Sequence, residues 1–343
     1  PYTSYDIENN IEKPSVQFVG FAKTAKLEPG KTETVKKRKR LTKSDWQLYS
    51  LSLIPILVIF IFRYLPMGGL IIAFKNYKFS KGIFGSDWVG LQNFEFFFKS
   101  NVFAQLVKNT LWNNVLFIVF GTVASLLVAV LLFELKSRNA TKVFQTLMIT
   151  PYFMSWVIVA YMVYAILNPG YGYLAQVLSL FGIDPIDWYS KPAAWPTILT
   201  ITYVWKNVGM DSVVYYAALM GLDTTLFEAA EIDGANKVQR TWSIVLPSLI
   251  PLISILTILK IGNIFRADFG LFYTVTQDGA NGNLYSTTNV IDTYIFRTFR
   301  ENSTGNSYGL TTAVGLLQSL VGMITVLLTN RAAKKIDPDN ALF

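Results

Sequence analysis

Six long apolar stretches separated by polar segments dominate the sequence. The first covers residues 48–73 and is broken only by Arg63, Pro55 and Pro66. The second, 111–133, carries no charge. The third starts near Val143 and runs to the Pro169-Gly170 turn. The fourth, 198–220, contains Lys206 and Asp211; the fifth, 243–265, contains Pro247, Pro251 and Lys260; the sixth, 308–330, is again uncharged. Each reaches the roughly 20 helical residues that a hydrocarbon core requires. Apolar runs of this length without alternation predict helices, which satisfy their own backbone in lipid. The expected fold is all-α and polytopic, with six transmembrane helices.

Composition agrees. Of the residues, 52% are hydrophobic and only 15% charged, against about 25% charged in soluble domains. The chain has no Cys and no His, which excludes disulfides, thiol nucleophiles, histidine bases and zinc fingers. No catalytic residue and no metal ligand is assigned. The net charge of +8 fits a positive-inside bias, and nucleic acid is not an expected partner. With the N-terminus inside, 18 Lys and Arg fall on the cytoplasmic side against nine outside, so both termini are expected in the cytoplasm. The resulting division is a polar basic tail (1–45), a first span (46–74), an extracytoplasmic loop (75–110), a membrane core (111–330) with a cytoplasmic loop at 221–242, and a cytoplasmic C-terminus (331–343). The basic run from Lys36 to Lys43 reads as a solvated or lipid-headgroup-facing tail. Trp88, Phe94, Phe96, Phe97, Phe98, Trp188 and Tyr189 in the outer segments suit an interfacial aromatic belt. Gly30-Lys31-Thr32 is no phosphate-binding loop, because Ala25 stands where that loop needs Gly.

The loop between the fourth and fifth stretches reads Leu222-Asp223-Thr224-Thr225-Leu226-Phe227-Glu228-Ala229-Ala230-Glu231-Ile232-Asp233-Gly234-Ala235, followed by Ile244-Val245-Leu246-Pro247. It predicts a short helix with both ends marked. Asp223 or Thr225 can serve as N-cap, Thr225 and Glu228 fit a capping box, and Gly234 is placed to end the helix in a left-handed conformation. Small methyl groups at Ala229 and Ala230 beside the Glu228 carboxylate let another protein surface approach closely.

Glu228-Ala229-Ala230, Gly234, Ile244, Leu246 and Pro247 resemble the EAA motif of ATP-binding-cassette importer permeases. Beyond the motif, Tyr64-Leu65-Pro66-Met67, Trp88-Val89-Gly90-Leu91, Asn109-Thr110-Leu111, Thr202-Tyr203-Val204-Trp205-Lys206-Asn207-Val208-Gly209 and Val290-Ile291-Asp292-Thr293-Tyr294 are similar to the carbohydrate permeases of the LplB, YteP and alginate-permease group, which are related to the maltose permeases. The resemblance covers nearly all of the chain from Trp46 and implies a type I importer (MetI-like) core in a bacterial cell membrane. It implies a second, homologous permease subunit in a heterodimer, two ATPase subunits that bind ATP and Mg, and an extracytoplasmic solute-binding lipoprotein. This chain itself would bind no cofactor and would not be an enzyme. ATPase coupling is implied for Leu226, Phe227, Glu228, Ala229, Ala230, Ile232, Asp233, Gly234, Ala235 and Pro247.

Lys206, Asp211 and Lys260 lie inside apolar stretches, where each costs about 2.5–3.5 kcal/mol at the bilayer centre, so none should face lipid and they mark the bundle interior or a wet substrate pathway. Lys206 and Asp211 are about 140° apart around a helix, so each needs a partner elsewhere. By the resemblance to the maltose permeases, sugar would meet Asn207 and Met210 before the docking loop and Lys260, Asn263, Ile264 and Ala267 after it. Trp205, Tyr215 and Tyr216 are near enough in sequence to offer aromatic faces. Interhelical packing is the competing role for each. Arg63, Arg266 and Asp268, near helix ends, suit interfacial anchors or subunit-interface pairs. Two other functions stay open at this stage: an importer of peptide or amino acid, and an ion-gradient transporter or membrane enzyme.

Overall fold

A computed structural model describes residues 43–135, 137–278, 282–301 and 305–336. Nearly all of the tail expected at 1–45 and the last seven residues, 337–343, lie outside them. The chain divides into two units, 1–60 and 61–343. The first unit contributes α1 (Lys43–Ile59). The second is mostly helical, its only sheet among the described residues being the two-residue antiparallel pair β1 (Lys75–Asn76) and β2 (Asp87–Trp88). Its helices are α2 (Gly82–Gly85), α3 (Gln92–Phe98), α4 (Phe103–Phe133), α5 (Arg138–Ile149), α6 (Trp156–Leu167), α7 (Tyr173–Leu180), α8 (Trp195–Leu219), α9 (Thr224–Ile232), α10 (Lys237–Arg240), α11 (Leu246–Gly262), α12 (Tyr285–Thr288), α13 (Ile291–Glu301) and α14 (Gly305–Ile336).

Four stretches are long and apolar enough to cross a membrane: Tyr49–Phe74, Phe103–Phe133, Lys237–Gly262 and Ser307–Lys335. The fifth candidate is broken. Arg138–Phe153 and Trp156–Leu167 meet at 99°, where an uninterrupted helix was expected from Val143 to Pro169. The remaining expected span corresponds to α8, whose 25 residues reach about 37 Å. It is long enough but less apolar, because it is the central helix: nine of its residues, Lys206 among them, are buried, and it packs along α4 with α5 on another side.

The break has local causes. Pro151 ends the α5 helix through a short 3-10 turn, Thr150–Phe153, and the Ser155 hydroxyl accepts from Ile158 N–H to start α6 afresh. Hydropathy cannot reveal it, since the interrupted segment is itself apolar. The carbonyls freed there turn to α8: Lys206 Nζ donates to Pro151 O (3.1 Å), Tyr152 O (2.7 Å) and Met154 O (2.7 Å). The same ammonium lies 5.5 Å from the Tyr152 ring centroid and 5.2 Å from that of Trp156. Gly209, one turn on, lets the backbones touch, because a Cβ there would sit 1.9 Å from Met148 O.

A second polar device joins α4 to the distant loop before α13. The Asn109 amide donates to Ser286 O and Asn289 O, each at 3.1 Å, and the Asn113 amide to Thr287 O at 3.3 Å. Asn114 donates to Ile264 O (2.9 Å) and Arg266 O (3.1 Å). These side chains supply the hydrogen bonds that irregular buried backbone needs. The apolar core falls into three clusters. One joins Phe117, Val159, Trp195, Leu199 and Phe272. Another joins Phe97, Leu106, Ile291, Leu310 and Val314, and the third joins Ala129, Tyr215, Leu219, Val245 and Leu249. Phe97 is therefore core rather than interfacial, while Trp88, Phe96 and Phe98 are exposed.

Lys206 gives the first prediction. Lys206→Met keeps the apolar stem and strands three carbonyls, so the purified protein should lose about 2–4 kcal/mol of stability. Thermal unfolding in detergent would read this as a lowered Tm, and an unchanged Tm would mean that the carbonyls find other donors.

Candidate functional site

Two places hold most of the residues that the sequence singles out. The first is α9 at one end of the bundle. Asp223 is its N-cap, accepting from Thr225 N–H at 3.0 Å, and this bond holds the Asp223 carboxyl below the usual carboxylate range. The Thr225–Glu228 capping box does not form, because Asp223 takes the cap and the helix already begins at Thr224. The capping box lies instead at Asn236 and Gln239, opening α10. At the other end Ala235 N–H donates to Ala230 O (2.9 Å) and Gly234 N–H to Glu231 O (3.1 Å). With Gly234 at φ +78°, this is a Schellman termination.

One side chain keys α9 into the protein. Phe227 is half-buried against the third apolar cluster, its ring 5.5 Å from that of Phe133 at the end of α4. Lys237 bonds Glu134 at 3.1 Å and Arg240 approaches Glu231 at 3.8 Å, surface pairs worth about 0–1 kcal/mol each. The opposite face is open. Glu228 and Ala229 are exposed, Leu226 is 51% exposed and Ile232 87%. Glu228 has no hydrogen bond or ion pair to any described residue. Asp233 and Gly234 are exposed, Ala230 and Ala235 half-buried, and Pro247 opens α11. The helix thus has an anchored face and a free face about two turns long.

The second place is a cavity of about 450 Å³ between α4, α8 and α11. Phe117 and Tyr203 stack in its wall with centroids 4.5 Å apart, and Asn114, Lys260, Asn263, Arg266, Ala267 and Asp268 supply its other chemistry. Lys260 Nζ is 2.8 Å from Asp211 Oδ2, so the two intramembrane charges on α8 and α11 neutralise each other. Asp268 accepts from Trp156 Nε1 (3.0 Å) and Leu271 N–H (3.3 Å), while burial pushes its carboxyl above the usual range. It is an internal brace rather than a surface anchor. Arg266 reaches Ser319 Oγ at 3.3 Å.

Of the residues expected on a substrate pathway, Lys260, Asn263 and Ala267 line this cavity. Asp211 is joined to it through Lys260, while Asn207 does not line it and its side-chain amide donates to Tyr203 O within α8 (2.9 Å). Lys206 is 6% exposed and committed to carbonyls. Met210 is 40% exposed and Ile264 half-buried; neither lines the cavity. Trp205 lines a different, apolar groove with Trp112, Phe120 and Ile201, and Tyr215 is buried in the third cluster. The reason is helical geometry: Trp205 is about 200° around α8 from Tyr203, so closeness in sequence places them on opposite faces. Asn114, Phe117 and Tyr203 escaped sequence reasoning, although an amide within an apolar stretch was a readable signal for Asn114.

Relatives share this architecture. A family described as "Binding-protein-dependent transport system inner membrane component" matches residues 121–338. The chain is 33% identical to the polygalacturonan/rhamnogalacturonan transport system permease protein YteP of Bacillus subtilis (strain 168), over 87% of this chain and 92% of YteP. It is also 33% identical to protein LplB of the same organism, over 87% of this chain and 91% of LplB. A chain in the crystal structure of a bacterial alginate ABC transporter, in complex with an alginate pentasaccharide-bound periplasmic protein, superposes with a TM-score of 0.76 at 33% identity. That match covers 86% of this chain and 96% of the other.

The Asp211–Lys260 pair gives the second prediction. Lys260→Met or Asp211→Asn alone strands a half-buried charge, whereas the double variant removes both, so the pair should show a coupling energy of about 1–2 kcal/mol in a double-mutant cycle. Strictly additive losses would mean that each charge is satisfied independently.

Proposed function

Because this chain belongs to the family of binding-protein-dependent transport system inner membrane components, we propose that it is the permease subunit of an ATP-driven importer of oligosaccharides or polysaccharide fragments. It is a multi-pass membrane transport subunit rather than an enzyme. The observation that carries the mechanism is the free face of α9: a capped helix anchored through Phe227 and presenting Glu228, Ala229 and Ile232 to a partner. In this reading two ATPase subunits, which bind ATP and Mg, receive α9 in a groove. Their closure moves α9, and the attached α8 and α11 open or close the cavity between them, which is alternating access. A second, homologous permease completes the pathway, and an extracytoplasmic binding protein delivers the sugar. The excess of Lys and Arg on one side supports cytoplasmic termini.

The cargo assignment is supported by the names of YteP and of the alginate transporter, both of which handle polysaccharides. The cavity supplies matching chemistry, with amides and charges for hydroxyls and a Phe117–Tyr203 stack for sugar C–H faces.

Glu228→Arg should leave membrane insertion and assembly intact and lower ATP-driven uptake about tenfold or more. Uptake and ATP hydrolysis that stay coupled at the original rate would remove α9 as the docking element. In the same vesicles, uptake of labelled peptides in place of neutral or uronate oligosaccharides would replace the saccharide cargo.

A further inference from the structure

A second cavity, of about 330 Å³, lies outside the site described above, between α6 and the π-helical turn Leu271–Val275 with the residues that follow it. Its chemistry comes from Tyr161, Tyr164, Tyr273, Thr274, Gln277 and Asp278. Two of the three tyrosines are held rigidly. Tyr164 packs edge-on against Tyr189 (5.8 Å) and Tyr171 (6.2 Å). Tyr273 stacks on Phe269 at 4.9 Å and accepts a hydrogen bond from Arg300 at 2.8 Å. The third, Tyr161, is 72% exposed. The Gln277 amide has no partner among the described residues.

The opposite wall is held at a cost. Gln277 and Asp278 both adopt φ +56°, the only non-glycine residues with positive φ among those described, and such backbone persists only where its surroundings enforce it. Asp278 Oδ1 is buried without a hydrogen-bond partner among the described residues, and Oδ2 is 3.6 Å from Arg300. Left-handed backbone at two non-glycine residues and an amide with no partner among the described residues, beside a cluster of aromatic rings, are what a ligand wall looks like. Flat rings with a few placed amide and carboxyl groups suit a pyranose, whose C–H face lies on an aromatic ring while its hydroxyls bond at the edge.

We propose that this cavity is a separate saccharide subsite on the extracytoplasmic side, where an entering sugar chain rests a ring on Tyr161 before reaching the cavity between α8 and α11. The proposal rests on the saccharide reading given above. The segment 268–278 contributes to both places, Asp268 lining the inner cavity and Tyr273 to Asp278 the outer one, so the two subsites are consecutive along one stretch of chain.

The test uses the intact complex purified from native membranes into nanodiscs, with diazirine-tagged neutral and uronate trisaccharides as probes, and mass spectrometry of the cross-linked peptides. At least one probe should label a peptide containing Tyr161 or Tyr273. Tyr161→Ala should remove that label and lower uptake at sub-saturating sugar about fivefold, while Tyr161→Phe, which keeps the ring, restores both. Labels confined to α8 and α11, with Tyr161→Ala transporting normally, would overturn the outer subsite and leave the importer reading intact. A wild-type complex that neither binds nor imports any saccharide would overturn both.

Discussion

A helix interrupted inside a membrane leaves carbonyls that lipid cannot satisfy, and here the Lys206 ammonium takes three of them, from Pro151, Tyr152 and Met154. Much of the rest follows from that bond set. It fixes where α5 stops and α6 turns away at 99°, and it ties both to the centre of α8. Through Trp156, which lies under the ammonium and donates to Asp268, it also sets the turn after α11. The segment lining both cavities is thereby referenced to α8, the helix that leads directly into α9. A charge that would be prohibitive facing lipid serves as the donor that lets irregular backbone exist at this depth.

The amide row on α4 plays the same part for the loop between α11 and α14. Asn109 and Asn113 are one helical turn apart and reach backbone carbonyls more than 170 residues away in sequence. Together the two devices brace the bundle around a small cavity, where Lys260 pairs with Asp211, backbone and indole N–H groups bind Asp268, and Arg266 reaches Ser319. Against this frame α9 is attached differently, by one half-buried ring and one surface ion pair, Glu231–Arg240. In the proposed mechanism such a helix would pass movement on through Phe227, whose ring packs on Phe133 of α4, while its outer face receives the partner.

Much of this was legible in the sequence. Apolar length placed four of the six expected spans, and the requirement that Lys206, Asp211 and Lys260 have partners followed from the cost of intramembrane charge. Gly234 announced its left-handed φ. The broken passage was not legible from hydropathy, although Pro151 and Ser155 stood in the sequence as its stop and start signals. The N-cap stayed open between Asp223 and Thr225 because either hydroxyl or carboxylate suits the role, and only the backbone decides which residue precedes the first helical one. Trp205 and Tyr215 were grouped with Asn207 by nearness in the chain, when about 200° around α8 separates Trp205 from Asn207 and about 12 Å along it separates Tyr215. The partners of the α4 amides were hidden because they are loop carbonyls, which carry no side-chain signature.

The central claim is that this chain works only as the membrane half of an ATP-driven, binding-protein-dependent assembly. The most direct measurement is affinity purification of the chain from its native membrane in mild detergent, with mass spectrometry of what accompanies it. The account predicts an ATP-binding-cassette ATPase, a second six-span permease and a solute-binding lipoprotein in the same particle. A chain recovered alone, from a preparation in which other membrane complexes stay whole, would contradict it.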